Sequence, residues 1–156
     1  MSVPNGMKEV RQAYGSFKFT ELSGGNVRIT DSWPRDNLVV LHDVLGLGLS
    51  VQLHGLVAPR FIRAFQGALG VCPQYHVRML GGFCARHKMH DPKRELSIHS
   101  WGAAVDINWD TNGIGNNAPH DIPRDFIEAF VGEGWEYGGD WPSNPDWMHF
   151  QLATGC

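Results

Sequence analysis

Short apolar segments separated by turn residues predict most of the strands in this chain. Within residues 103–108 the β-branched Val105 and Ile107 occupy alternate positions, so both are expected on the buried face of a strand. The polar stretch 83–96 lacks such alternation and is expected to be a long loop. The predicted strands are residues 38–41, 47–53, 75–80, 103–108 and 148–152.

Two segments have the apolar spacing of amphipathic helices. Residues 59–69 and 123–131 each begin with a proline, which suits the first turn of a helix, and each ends before a glycine. Asp121 is expected to cap the second helix. The apolar stripes are Phe61, Ile62, Phe65, Ala68 and Leu69 in the first helix and Phe126, Ile127, Phe130 and Val131 in the second. The first 35 residues are rich in turn residues and predict little regular structure.

Few helices and several strands together predict an α+β fold, with a small antiparallel sheet and a few flanking helices. With 156 residues, 42% of them hydrophobic, the chain is long and apolar enough for one folded domain, predicted to span residues 1–156. The net charge of −3 and the scattered Lys and Arg residues do not predict the clustered basic surface that nucleic-acid binding requires. We expect a monomer that binds no nucleic acid.

The cysteines and the N-terminal residues bear on where the protein is found. Cys72, Cys84 and Cys156 contain no CxxC pair and are odd in number, so free, mostly buried thiols are expected ahead of a Cys72–Cys84 bridge. Residues 1–8 lack the apolar core of a signal peptide, and no stretch approaches the roughly 20 apolar residues that cross a bilayer. We expect a soluble protein, synthesised in the cytoplasm without a signal peptide and without a transmembrane segment.

A candidate metal site begins with His99 and Asp106. If residues 103–108 form a strand, Asp106 shares one face with Ala104, whose small side chain leaves space beside the carboxylate. His99 precedes a turn at residues 100–102, so the chain can fold it back towards Asp106. An imidazole and a carboxylate that converge in this way suit a divalent metal ion, whereas a capping histidine and a strand-end aspartate are the ordinary alternative.

The segment that ends the chain supplies a third candidate ligand. His149 and Gln151 are expected on one face of the last strand, with Met148 and Phe150 towards the core. Asp146 lies three residues before His149, where a carboxylate can approach a metal-bound water without binding the metal. Three protein ligands with an open fourth position, beside a general base, are what catalytic zinc requires.

Other chemistry-bearing residues are given structural interpretations. His87 and His90 resemble a second metal pair, but their polar, Lys-containing loop predicts exposed side chains. The six tryptophans are expected to pack around a small core rather than to stack on sugars.

The motifs resemble those of the M15 peptidases, a family that includes D-alanyl-D-alanine carboxypeptidases and the L-alanyl-D-glutamate endopeptidases of phage endolysins. The resemblance rests on Ser97-x-His99-x-x-Gly102-x-Ala104-x-Asp106 followed by Asp146-x-x-His149. It extends through residues 138–141 and 148–150, covers the second half of the chain best, and is weaker at residues 3–6 and 58–61.

The resemblance implies a role for each of these residues. His99, Asp106 and His149 would hold one Zn²⁺ ion, and Asp146 would be the general base, where many family members carry Glu. Arg86 best matches the family arginine that stabilises the developing oxyanion, although Ala85 replaces the usual preceding tyrosine, and Arg78 is a rival. Ser97 would contact a substrate carboxylate. The expected fold places the zinc site at the sheet.

The implied function is zinc-dependent hydrolysis of a peptide bond next to a D-amino acid in bacterial peptidoglycan, by an endolysin-like endopeptidase or a D,D-carboxypeptidase. The lack of a signal peptide fits a phage lysin or a virion-borne enzyme that acts on the cell wall. A mononuclear iron oxygenase also uses two histidines and a carboxylate, but its usual His-x-Asp spacing is absent from the sequence. A non-catalytic wall-binding or virion structural module that retains the fold is the remaining alternative.

Overall fold

The computed structural model describes residues 2–156 and has the expected α+β fold, with four α-helices and small antiparallel sheets among those residues. The helices are α1 (Gly6–Tyr14), α2 (Trp33–Asn37), α3 (Ala58–Val71) and α4 (Arg124–Gly132). The strands are β1 (Phe19–Glu21), β2 (Val27–Ile29), β3 (Leu38–Leu41), β4 (Val51–His54), β5 (Leu80–Gly81), β6 (Ala104–Ile107), β7 (Glu136–Tyr137) and β8 (His149–Gln151).

The largest sheet determines where the site lies. Its strand order is β5-β6-β8-β7, and every neighbouring pair is antiparallel. Val105 of β6 and Phe150 of β8 are directly paired and fully buried. Because side chains alternate along a strand, Asp106 and His149, the next pair in this register, lie on the opposite face. One face of the sheet therefore belongs to the core, and the other carries the polar pairs.

Helices α3 and α4 cover the core face of this sheet. The Phe61 and Phe65 rings of α3 stack 5.2 Å apart, and Phe130 of α4 lies 4.5 Å from the Phe150 ring of β8. All four rings are fully buried. Burial of this apolar area, worth roughly 25 cal/mol per Å², is what holds the sheet against the helix pair.

Both predicted helices are present, but three details of the second were wrong. Asp121 does not cap α4: its carboxylate accepts hydrogen bonds from Tyr75 and Asn112 instead. Pro123 is the residue at the N-cap position and offers no side-chain cap. Val131 is 44% exposed, because it projects from the solvent side of α4, away from the buried Phe126–Phe130 face.

Residues 75–79 are not a strand, contrary to the alternation of Tyr75, Val77 and Met79. The amide groups of Arg78 and Met79 donate to the side-chain oxygen of Asn108, at 2.8 and 3.0 Å. A side chain thus replaces the neighbouring strand as hydrogen-bond partner, and regular pairing begins only at Leu80.

Two other segments also differ from expectation. The strand predicted at residues 47–53 begins at Val51, because Gly46 and Gly48 adopt positive φ angles and extend the preceding turn. The first 35 residues contain α1, whose Met7, Val10 and Tyr14 are buried.

The cysteines are free thiols, as expected, but they are not mostly buried: Cys72 and Cys156 are half-buried and Cys84 is exposed. Within residues 2–156 there is no helix that is both long and apolar enough to cross a membrane.

Candidate metal centre

His99 is positioned by a tight turn that precedes β6. Residues Ile98–Trp101 form a 3-10 turn, and the hydroxyl of Ser97 accepts a hydrogen bond from the His99 amide. Gly102 ends the turn at φ +62°, and a Cβ atom at this position would lie 2.7 Å from the main-chain nitrogen of His54. The chain can therefore reverse only with glycine at this point, and the reversal brings the buried His99 ring beside β6.

Asp106 and His149 are brought together by strand pairing. They are direct partners in the β6–β8 register, and His149 Nδ1 lies 3.0 Å from Asp106 Oδ1. His99 Nε2 lies 3.2 Å from Asp106 Oδ2 and 3.2 Å from His149 Nδ1. The predicted convergence of these three residues is confirmed.

The spacing of these atoms fits one small divalent ion. Four ligands at about 2.0–2.1 Å in a tetrahedron are separated from one another by about 3.3 Å. Here the two ring nitrogens lie 3.2 Å apart, and each lies 3.0–3.2 Å from one of the two Asp106 carboxylate oxygens. Among residues 2–156 this is the one cluster of three or more such side chains that could hold a metal ion.

The second nitrogen of each imidazole has its own partner. His99 Nδ1 lies 2.7 Å from the Gly82 carbonyl oxygen, an acceptor, so Nδ1 carries the proton and Nε2 keeps its lone pair for a metal. His149 Nε2 lies 3.0 Å from the side-chain oxygen of Gln151. Both rings therefore direct their remaining nitrogen, His99 Nε2 and His149 Nδ1, towards Asp106, where it can carry a proton or bind a metal ion.

The electrostatics of the cluster favour a cation between the side chains. Burial alone would raise the pKa of Asp106, but the charges of His99 and His149 and their hydrogen bonds outweigh it and hold that pKa far below its usual range. For His149, burial lowers the pKa, whereas the hydrogen bond and charge of Asp106 raise it, and the net direction is upward. The carboxylate thus stays ionised and favours positive charge beside it, either a proton or a metal ion.

Asp146 lies on the loop that enters β8. Its Oδ1 is buried and has no hydrogen-bond partner among the described residues. Burial raises the pKa of Asp146, and the negative charge of Asp106 adds to the increase, although the neighbouring histidines oppose it. A buried carboxylate oxygen without a donor is costly unless a water or ligand supplies one.

Asp146 and His149 line a cleft of about 670 Å³. That volume lies within the range of about 300–1,000 Å³ usual for small-ligand sites. The loop that contributes Arg86 supplies four cationic or titratable side chains to the lining, Arg86, Lys88, His90 and Arg94, of which Lys88 pairs with Glu95 and Arg94 with Asp91. Glu136 and Trp141 also line the cleft.

The structure separates the two candidate arginines. Arg86 lines the cleft, and its Nη1 makes only a long 3.4 Å hydrogen bond to the His87 carbonyl among the bonds described. Arg78 is instead hydrogen bonded to both carboxylate oxygens of Asp110, each at 3.0 Å. Ser97 also lines the cleft, while its hydroxyl caps the His99 turn.

His87 is buried, contrary to the exposed position expected for it. Its Nδ1 lies 2.6 Å from the Arg94 carbonyl, and its Nε2 lies 3.0 Å from the Glu21 carboxylate. The His87 ring therefore connects the loop at residues 86–94 to the β1–β2 hairpin. It contributes to no metal cluster in the described part of the chain.

Sequence reasoning missed three groups around the cluster. The Gly82 carbonyl cannot be recognised from the sequence, because every residue has a main-chain carbonyl. Gln151 could have been recognised, because a residue two positions after His149 lies on the same strand face and can contact it. Glu136 belongs to none of the motifs and reaches Gln151 only through the β7–β8 pairing.

Comparison with known families bears directly on this cluster. The M15 family model described as D-alanyl-D-alanine carboxypeptidase matches residues 90–152. The predicted relationship to the M15 peptidases is confirmed. The matched segment is about two fifths of the chain and contains His99, Asp106, Asp146 and His149, whereas Arg86 lies outside it. No curated protein and no solved structure matches the chain. The match supports hydrolysis of a peptide bond, because the matched family consists of peptidases. M15 peptidases in general depend on zinc.

Proposed function

We propose that this M15 peptidase holds one Zn²⁺ ion on His99, Asp106 and His149 and hydrolyses a peptide bond next to a D-amino acid in peptidoglycan stem peptides. The observation that carries the proposal is the meeting of His99, Asp106 and His149, whose side-chain atoms lie 3.0–3.2 Å apart. Asp146, whose Oδ1 has no hydrogen-bond partner among the described residues, lines the adjoining cleft together with His149.

The donor set suits zinc. Two imidazole nitrogens and one carboxylate oxygen are typical of catalytic zinc sites, which leave the fourth position to water or substrate. A bound zinc ion would supply Lewis acidity, which polarises the scissile carbonyl and makes the attacking water more acidic.

Asp146 would accept the proton of the attacking water. No described residue donates a hydrogen bond to Asp146 Oδ1. The raised pKa of Asp146 makes its carboxylate a stronger proton acceptor than that of an exposed aspartate. The proton gained there can then pass to the amine that leaves when the peptide bond breaks. Base and acid roles thus fall to one side chain.

Arg86 would stabilise the negative charge that develops on the carbonyl oxygen. A fixed cation at that position interacts more strongly with the transition state than with the neutral substrate. Arg86 lines the cleft, as this role requires.

The cationic side chains in the cleft lining support an acidic peptide as substrate. Stem peptides carry free carboxylates, on D-glutamate and at the C-terminus, and few cations. Arg86 complements those charges, and Lys88 and Arg94 lie in the same lining, although each also pairs with a carboxylate of its own loop. The geometry is compatible with both endopeptidase and carboxypeptidase cleavage, which share the same metal centre.

Digestion of purified peptidoglycan, followed by mass spectrometry of the released fragments, tests the proposal. We expect new peptide termini next to D-amino acids, loss of release after treatment with a chelator, and recovery with one equivalent of zinc. The fragment masses distinguish release of a terminal D-alanine from cleavage between L-alanine and D-glutamate. Binding to the wall by zinc-loaded protein with no new amino groups would overturn the proposal in favour of a non-catalytic wall-binding module.

A further inference from the structure

Gln151 connects the candidate ligand His149 to a second carboxylate. It lies two residues after His149 on β8, shares its strand face and is 2% exposed. Its side-chain oxygen is 3.0 Å from His149 Nε2, and its side-chain nitrogen is 3.2 Å from Glu136 Oε2 and 3.2 Å from the Ala153 carbonyl oxygen. Glu136 Oε1 accepts a hydrogen bond of 2.9 Å from the Trp141 indole.

These contacts determine which way the Gln151 amide faces. The Glu136 carboxylate and the Ala153 carbonyl are both acceptors, so the amide nitrogen, a donor, must face them. The amide oxygen must then face His149, and an oxygen accepts only if His149 Nε2 carries a proton. The proton on Nε2 leaves the Nδ1 lone pair free, and Nδ1 is the nitrogen that lies beside Asp106 and His99.

The other imidazole is fixed by the main chain, which makes the contribution of Gln151 separable. His99 Nδ1 donates to the Gly82 carbonyl, a group that no side-chain substitution removes. His149 depends instead on a side chain that a single substitution can change. Partners of this kind orient a metal-binding histidine and select its tautomer.

We propose that Gln151, held by Glu136, is a positioning residue that fixes the Nδ1-donating form of His149 for metal binding. This inference rests on the zinc site proposed above. Glu136 and Trp141 also line the cleft, so the network joins the cleft wall to the metal ligand. Its role differs from catalysis, because Gln151 acts through His149.

Zinc affinity of the purified full chain, measured by competition with a chromogenic chelator, gives the first test. Gln151→Leu removes the acceptor and leaves the buried Nε2–H of His149 without a partner, so we expect binding about 10–100-fold weaker. Gln66→Leu, on the exposed side of α3, is the matched control and should bind zinc like the parent chain. The visible spectrum of the Co²⁺-loaded protein should change in Gln151→Leu and not in Gln66→Leu.

The exchange Glu136→Gln with Gln151→Glu separates positioning from simple packing. In the double variant the new amide at position 136 can donate to the new carboxylate at position 151, which still accepts from His149 Nε2. We therefore expect the double variant to regain most of the affinity that Gln151→Leu loses. The ¹⁵N shifts of the His149 ring in the zinc-loaded protein give an independent measurement, because they should report a proton on Nε2 and the metal on Nδ1 in the parent chain and in the double variant.

The outcomes are distinct. Parent-like zinc affinity and Co²⁺ spectrum in Gln151→Leu, or zinc bound to Nε2 rather than Nδ1 of His149 in the loaded parent chain, would overturn the positioning role and leave the zinc site standing. Absence of stoichiometric zinc binding by the parent chain would overturn the proposed function itself. Should Gln151→Leu fail to fold, the ring shifts of the parent chain and the double variant decide the question.

Discussion

Asp106 and His149 are direct partners on adjacent antiparallel strands, with the His149 Nδ1 atom 3.0 Å from Asp106 Oδ1. Side chains that face each other across such a pair are held by main-chain hydrogen bonds on both strands. Their separation therefore depends little on loop conformation, whereas His99 arrives from a turn. A site on rigid strands, supported by further hydrogen bonds, keeps its ligands in place before any metal binds.

Replacement of Asp146 by asparagine should abolish most of the activity while zinc stays bound. Asparagine keeps the size of the side chain but cannot take a proton from water, and loss of a general base typically lowers the rate about 10²–10⁴-fold. The measurements are kcat on a stem peptide and zinc content by atomic absorption.

Asp140→Asn is the matched control for this substitution. Asp140 pairs with Arg124 at 3.1 Å and has a largely exposed side chain, so its replacement should leave kcat within about twofold of the parent value. Full activity in Asp146→Asn would contradict the assignment of the base.

The raised pKa of Asp146 predicts the acidic limb of the pH profile. Burial moves this pKa above its ordinary value of 3.8, and only the ionised form accepts a proton. At saturating zinc, kcat should therefore fall about tenfold per pH unit once the pH drops below the raised pKa. The limb should be missing from the residual activity of Asp146→Asn, and its persistence there would assign it to another group.

Arg86→Ala and Arg78→Ala should differ sharply in activity. Arg86 lines the cleft, whereas Arg78 is hydrogen bonded to Asp110. Loss of a charge-stabilising group costs about 10²–10³-fold in kcat, so we expect that loss in Arg86→Ala and a change within about threefold in Arg78→Ala. The reverse order in steady-state assays would show that Arg78 is the arginine that stabilises the oxyanion.

The sequence predicts those parts of the fold in which local pattern and tertiary packing agree. The stripe in residues 59–69 and the alternation in residues 103–108 gave α3 and β6 within two residues at each end. The strand predicted at residues 75–79 was wrong, because the side chain of Asn108, distant in sequence, accepts the hydrogen bonds of the Arg78 and Met79 amides. Met7, Val10 and Tyr14 have the spacing of a helical face, yet helix α1 was not predicted. Pro4, Gly6 and Gly15 are residues typical of turns, and they obscure the helical pattern.

The candidate site divides in the same way. His99, Asp106 and His149 could be predicted because a metal requires particular side chains, and side chains are visible in a sequence. The groups that orient them could not. The Gly82 carbonyl acts through the main chain, and Glu136 meets Gln151 only because β7 pairs with β8. Burial of His87 was equally invisible, since its Glu21 partner lies in a separate hairpin.

Substitution of Gly82 by alanine should disturb both the fold and the metal site. A Cβ atom there would lie 2.4 Å from the Gln52 carbonyl oxygen and 2.6 Å from a methyl group of Val51, so β4 and the Gly82 segment must move apart. Overpacking of this kind costs about 1–3 kcal/mol of unfolding free energy. Because the Gly82 carbonyl holds His99, the same movement should weaken zinc binding.

Gly81→Ala is the natural comparison, because a Cβ atom at that position meets only the Trp109 ring, at an ordinary 3.5 Å. Urea unfolding of the metal-free variants measures the first effect, and chelator competition measures the second. We expect Gly81→Ala to match the parent chain within about 0.5 kcal/mol and to keep its zinc affinity. Equal behaviour of the two variants in both measurements would show that the close approach of Gly82 to β4 does not hold His99 in place.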